Sequence, residues 1–103
     1  MKPVRVRPRA EREIDALADF IAQDDLSAAL RFMESVRNIF DLIGEQPGVG
    51  SLRFAHLPML DGLRVSSVSG FENHLIFYID RQAYIDIVRV LHSARDLPSA
   101  LMQ

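Results

Sequence analysis

The chain has 103 residues, 49% of them hydrophobic and 25% charged, which is enough for one domain with one modest core. Its formal charge of −2 weighs against a dedicated nucleic-acid binder, which carries a basic footprint. It has no cysteine, which excludes disulfides and thiolate metal sites and fits a reducing cytosol.

Val4-Arg-Val-Arg7 alternates between Pro3 and Pro8 and reads as a short edge strand. Pro8 suits the first turn of a helix, where its missing N–H costs nothing. From about residue 9 to 22 the period becomes helical. Ala10, Ile14, Leu17, Ala18 and Ile21 make one apolar stripe, with Phe20 well off its centre. Asp25 or Ser27 offers an N-cap for a second helix that runs to about Ile43. Its apolar face is Ala29, Phe32, Met33, Val36, Ile39, Phe40 and Ile43, and Gly44 and Pro47 are expected to end it. The two helices form an antiparallel hairpin.

Residues 46–62 show no period and are expected to wrap the surface. Three strands follow, at residues 63–69, 74–80 and 84–92, separated by a turn or bulge at 70–73 and a short hairpin at 81–83. The second and third are nearly all apolar and read as central strands. Asp96 is placed to cap a last short turn, with Pro98 tolerated near its start. The expected fold class is α+β. An N-terminal strand, a helical hairpin on one face of a small, mostly antiparallel sheet, and a short C-terminal helical segment give the order β-α-α-β-β-β. The other face of the sheet is expected to be partly open. The whole chain reads as a single domain.

No run approaches the ~20 apolar residues that span a bilayer. The start of the chain lacks the apolar stretch of a signal peptide, so a cytoplasmic protein without membrane contact is expected. Charge is unevenly placed. Arg5, Arg7, Arg9 and Arg12 crowd the start, and Asp15, Asp19, Asp24 and Asp25 follow at once. Arginine suits bidentate contacts to a partner's carboxylates, although genome composition alone also favours it.

Phosphate-binding loops and common metalloenzyme, serine-hydrolase and dithiol signatures are absent, and no cofactor is expected. His56, His74 and His92 lack metal-ligand spacing. His92 ends a central strand close to Arg95. It reads either as a general acid or base, or as a structural histidine whose ring fixes the turn at 93–96. The structural reading is preferred. Arg89 lies in an apolar strand and needs a carboxylate, with Asp61, Asp86 and Asp96 as candidates. Arg64 sits in a polar strand and is expected to be more open to a ligand or partner. Arg95-Asp96 reads equally as a pair that orients the C-terminal segment or as a binding element. Phe20 and Leu42 lie outside the apolar stripes.

The runs Leu63-Arg64, Phe71-Glu-Asn-His-Leu-Ile-Phe-Tyr78 and Ile87-Val-Arg-Val-Leu-His-Ser-Ala-Arg-Asp96, with Gln46-Pro-Gly-Val-Gly50, resemble the ParE toxins of the RelE/ParE superfamily. The resemblance covers almost the full length and implies the same fold. It also implies the toxin half of a bacterial toxin–antitoxin pair. ParE-like members inhibit DNA gyrase, whereas RelE-like members cut messenger RNA in the ribosome. The RNase branch needs clustered Lys and Arg on the sheet and usually a C-terminal tyrosine. Here the matching strand is Arg64-Val65-Ser66, and no tyrosine follows Tyr84. The resemblance therefore implies a non-enzymatic gyrase inhibitor. A ribosome-dependent RNase using His92, Arg64 and Arg95, or a non-toxic antitoxin-binding relative, remains as the alternative.

The implied partner is a small antitoxin, often with a ribbon-helix-helix DNA-binding part, which forms a hetero-oligomer with the toxin and makes the DNA contacts. Arg5, Arg7, Arg12 and Phe20 are the expected antitoxin-facing residues. Arg64, His92, Arg95, Asp96, Leu97, Leu101 and Met102 are the expected target-facing ones. Residues 96–103 are expected to be too few to contribute much core, so their apolar side chains are read as docking on the target, with covering the core rim as the other reading.

Overall fold

The computed structural model describes residues 1–103. Strand β1 (Val4–Val6) leads into helices α1 (Pro8–Asp24) and α2 (Leu26–Glu45). Strands β2 (Arg64–Val68), β3 (Phe71–Asp80) and β4 (Ile85–His92) follow, and helix α3 (Leu97–Leu101) closes the chain. The four-stranded sheet has the order β1-β4-β3-β2. The last three strands are an antiparallel meander, and β1 joins the far edge parallel to β4. This is the expected α+β architecture.

Local chemistry sets the hairpin. Pro8 opens α1 as expected. Asp25 ends α1, and its side chain accepts from the Ala28 N–H at 3.1 Å to start α2, so a single residue joins the two helices. Gly44 does not terminate α2 as expected. The helix passes through it because the N-terminal segment crosses there, and a Cβ at Gly44 would lie 2.9 Å from the Lys2 carbonyl oxygen. The Gly44 carbonyl accepts from the Lys2 N–H at 3.0 Å.

The sheet carries a core cluster on each face. On one, Ala10 and Ile14 of α1 and Phe32, Val36 and Ile43 of α2 pack on Ile76, Tyr78, Ile85, Ile87 and Val90. The second face is partly open, as expected: exposed Ser67, Asn73 and Ser93 line an open cavity of about 410 Å³ at one end of it, and the rest is covered. Leu57 and Leu63, from the irregular stretch, join Leu97, Ala100 and Leu101 over Leu75, Phe77, Val88 and Leu91. Residues 46–62 contain a single 3-10 turn, Pro47–Val49. The buried Tyr78 hydroxyl pins that turn, accepting from the Gly50 N–H and donating to the Pro47 carbonyl, both at 2.8 Å.

Arg89 is only 3% exposed and holds three elements together. It reaches Glu13 on α1 through Nε at 3.0 Å and Nη2 at 2.7 Å, and donates to the Ala100 carbonyl at 2.6 Å. The same Glu13 carboxylate accepts from the Val90 N–H at 3.1 Å, beyond the point where β1 stops covering the edge of β4. The expected ion pair is therefore present, but its partner is Glu13, not Asp61, Asp86 or Asp96.

Candidate functional site

The end of β4 and the turn into α3 carry most of the expected target-facing residues. His92 is half-buried and lies directly opposite His74 of β3, with ring centroids 5.1 Å apart. Phe32 of α2 and Phe71 of β3 complete an aromatic cluster around His74. His92 Nδ1 accepts from the Ala94 N–H at 2.9 Å, which is the turn-fixing role. Burial, with the neighbouring His92, holds the His74 imidazole below the usual histidine range. Its Nδ1 is buried and has no hydrogen-bond partner.

Arg64, expected to be open to a ligand, is half-buried. Its guanidinium donates to the Gly50 carbonyl at 2.8 Å and the Gly48 carbonyl at 3.3 Å, clamping the turn after α2. Arg64 pairs with Tyr78 and His92 with His74. That separates them by roughly 13 Å along β3 and ~10 Å across the sheet. Arg64, His92 and Arg95 therefore do not converge. Arg95 is exposed beside His92 and forms no ion pair with Asp96. Asp96 instead caps α3, its carboxylate accepting from the Ser99 hydroxyl at 2.9 Å.

The C-terminal segment contributes core, contrary to expectation. Leu97 and Leu101 are buried in the second cluster, and only Met102, at 47% exposure, is free to meet a partner. The remaining candidates lie on or beside β1 and on α1, whose first turn reaches the C-terminus, where Arg9 donates to the Gln103 carbonyl at 2.9 Å. Arg7 makes two 2.9 Å bonds to Asp86, which Arg81 also contacts at 3.1 Å. Burial alone would raise the Asp86 carboxyl, but the two guanidinium groups outweigh it and hold it below the usual range. Arg5 is exposed and covers the Tyr84 ring at 4.6 Å. Arg12 is exposed and unpaired. Phe20 is 69% exposed, and lies roughly 12 Å further along the helix than Arg12, so the four do not form one patch. No group of three or more His, Asp or Glu is placed to hold a metal ion.

A family model described as ParE toxin of type II toxin-antitoxin system, parDE, matches residues 4–97. The chain belongs to the ParE toxin family. Its fold is also that of a solved structure described as the chromosomal ParDE TA system from P. aeruginosa. The TM-score is 0.71 at 16% identity, covering 89% of this chain and 96% of that one. None of the curated proteins matches. For a ParE toxin, the sequence missed the Arg89–Glu13 node and the burial of α3. The partners in the node are 76 residues apart, so no local pattern joins them.

Proposed function

We propose that this protein is the toxin of a type II pair, that it inhibits DNA gyrase by binding, and that a ribbon-helix-helix antitoxin neutralises it in the cytoplasm. Gyrase is the target the family resemblance implies. The observation that carries a binding mode is the dispersal of Arg64, His92 and Arg95. RNA cleavage needs an acid–base group and phosphate-neutralising cations within a few ångströms of one reacting phosphate. Here Arg64 is spent on two backbone carbonyls, and His92 Nδ1 on a backbone N–H.

The target-facing surface is then the exposed rim after β4, chiefly Arg95 and Met102. Leu97, Leu101 and Asp96 hold α3 in place beneath it. The antitoxin lies along the outer edge of β1 and the start of α1, which adjoins the C-terminal end of this rim through the Arg9–Gln103 bond. Its acidic residues face Arg5 and Arg12, and Arg7 offers the part of its guanidinium not engaged by Asp86. Phe20 is a separate apolar contact. Purified toxin is tested on gyrase supercoiling beside a ribosome-dependent cleavage assay. Inhibited supercoiling that is relieved by Arg95→Glu together with Met102→Glu, with messenger RNA left intact, is expected. Codon-phased cleavage lost in folded His92→Gln would overturn the reading.

A further inference from the structure

Three residues of the chain sit in the left-handed backbone region, and two of them are glycines, Gly62 and Gly70, which adopt it without steric cost. The third is Met59, with φ of 64°. It follows Pro58 in a turn closed by the Leu60 N–H, which donates to the Leu57 carbonyl at 3.3 Å. With proline second and a positive φ third, this is a turn whose third residue is ordinarily glycine or asparagine. Methionine there is strained, because its Cβ crowds the following carbonyl oxygen. Burial does not offset that strain, since Met59 is 94% exposed. An exposed methionine alone is unremarkable, but one held in strained backbone points to a use for its side chain. The neighbours anchor the turn. Leu57 is buried in the second core cluster, Leu60 packs against it, and Phe54 meets the Phe77 ring edge-on at 5.6 Å. Met59 therefore projects from a fixed tip over the sheet face opposite the helical hairpin. Helix α3 covers that same face and is followed at once by the exposed Met102.

We propose that Met59 is a target-contact residue of the toxin and enters an apolar recess on the gyrase surface. The proposal rests on the gyrase reading, and extends its binding surface from the rim after β4 to the loop over the same sheet face. A thioether side chain is unbranched and adaptable, so it fills an irregular apolar recess without giving up a hydrogen bond. The anchored turn fixes the backbone before contact, which leaves less ordering to oppose binding. Strain that lowers the stability of the free toxin is then retained for the contact it presents. The antitoxin surface, β1 and the start of α1, shares no segment with this loop.

Inhibition of gyrase supercoiling and thermal unfolding, measured on purified wild type, Met59→Gly, Met59→Asn and Met59→Leu, test it. Glycine and asparagine suit the left-handed backbone but remove the apolar side chain. Both variants should melt no lower than wild type, yet need about tenfold more toxin or greater for half-inhibition. Leucine keeps the apolar bulk and should retain most of the potency. A residue that merely held the loop would lose stability and potency together, and that result would overturn the proposal. So would a Met59→Leu protein as weak as Met59→Gly. Glycine and asparagine variants as potent as an inhibiting wild type would overturn it and leave the gyrase reading intact. A wild type without effect on supercoiling would overturn both.

Discussion

Replacing Glu13 by Ala should be among the most damaging single changes outside the apolar core. It strands the Arg89 guanidinium, which is nearly inaccessible, and leaves the Val90 N–H without its acceptor. Breaking a buried ion pair from one side costs about 3–5 kcal/mol. Glu13 retains some solvent contact, with 16% of its side chain exposed, which argues for the lower end. Against a total of about 5–15 kcal/mol for a small domain, ~3 kcal/mol is a large share. It corresponds to a melting temperature lower by roughly 12–24 °C. Urea titration followed by circular dichroism reads it directly. Arg89→Met should cost a similar amount, since it leaves the carboxylate and the Ala100 carbonyl unpaired. The double variant Glu13→Ala with Arg89→Met should lose less than the two singles added together, because no isolated charge then remains buried. A Glu13→Ala protein within about 1 kcal/mol of wild type, or a double variant as bad as the sum, would refute this account.

Asp86→Asn should destabilise the protein by about 1–2 kcal/mol at neutral pH, the modest figure reflecting two half-solvated arginine partners. The folded carboxyl titrates below its unfolded value of about 3.9, so the stabilisation is present above that pH and is lost as pH falls through the folded value. Stability curves of wild type and Asp86→Asn should therefore converge in acid. His74 has the complementary behaviour. Its folded imidazole titrates below the unfolded value of about 6.5, so stability should fall as pH drops through 6.5 towards the folded value, and His74→Phe should remove that slope. Gly50→Ala should lower thermal stability by about 1–3 kcal/mol, because its Cβ would sit 2.7 Å from the fixed Tyr78 hydroxyl. Deleting residues 98–103 should cost about 3 kcal/mol or more in the same assay, through the lost burial of Leu101 and the lost acceptor for Arg89, whereas Met102→Glu should leave stability unchanged.

The helices were legible because Ile14, Leu17 and Ile21, and Phe32, Val36 and Ile43, carry a clear helical period that tertiary packing uses directly. The meander was legible from the apolar runs of β3 and β4 and the punctuation between them. The cover of the second face was not. Leu57 contacts the sheet from an irregular chain with no period, Leu63 lies just ahead of β2 and not within the strand expected from residue 63, and Leu101 belongs to a segment whose shortness suggested little core. Gly44 carried a stop signal in the sequence but serves a close crossing by Lys2, which only the three-dimensional path reveals. Among the site residues, the turn-fixing role of His92 followed from its position before residues 93–96. The commitment of Arg64 to Gly48 and Gly50 depends on a loop folding back over β2, and no spacing announces that.

The placement of β1 has a consequence for synthesis. Its only sheet partner is β4, and Arg7 must find Asp86 across 79 residues of chain. The two helices are made first and pack on each other and on β1, yet most of the sheet surface they bury is supplied by later strands. At about 5–20 residues per second, the growing chain spends most of its synthesis without most of that surface. The sheet is therefore completed late, when β4 is released. A chain stopped before residue 85 lacks β4, the strand that joins β1 to β3, and cannot complete the sheet.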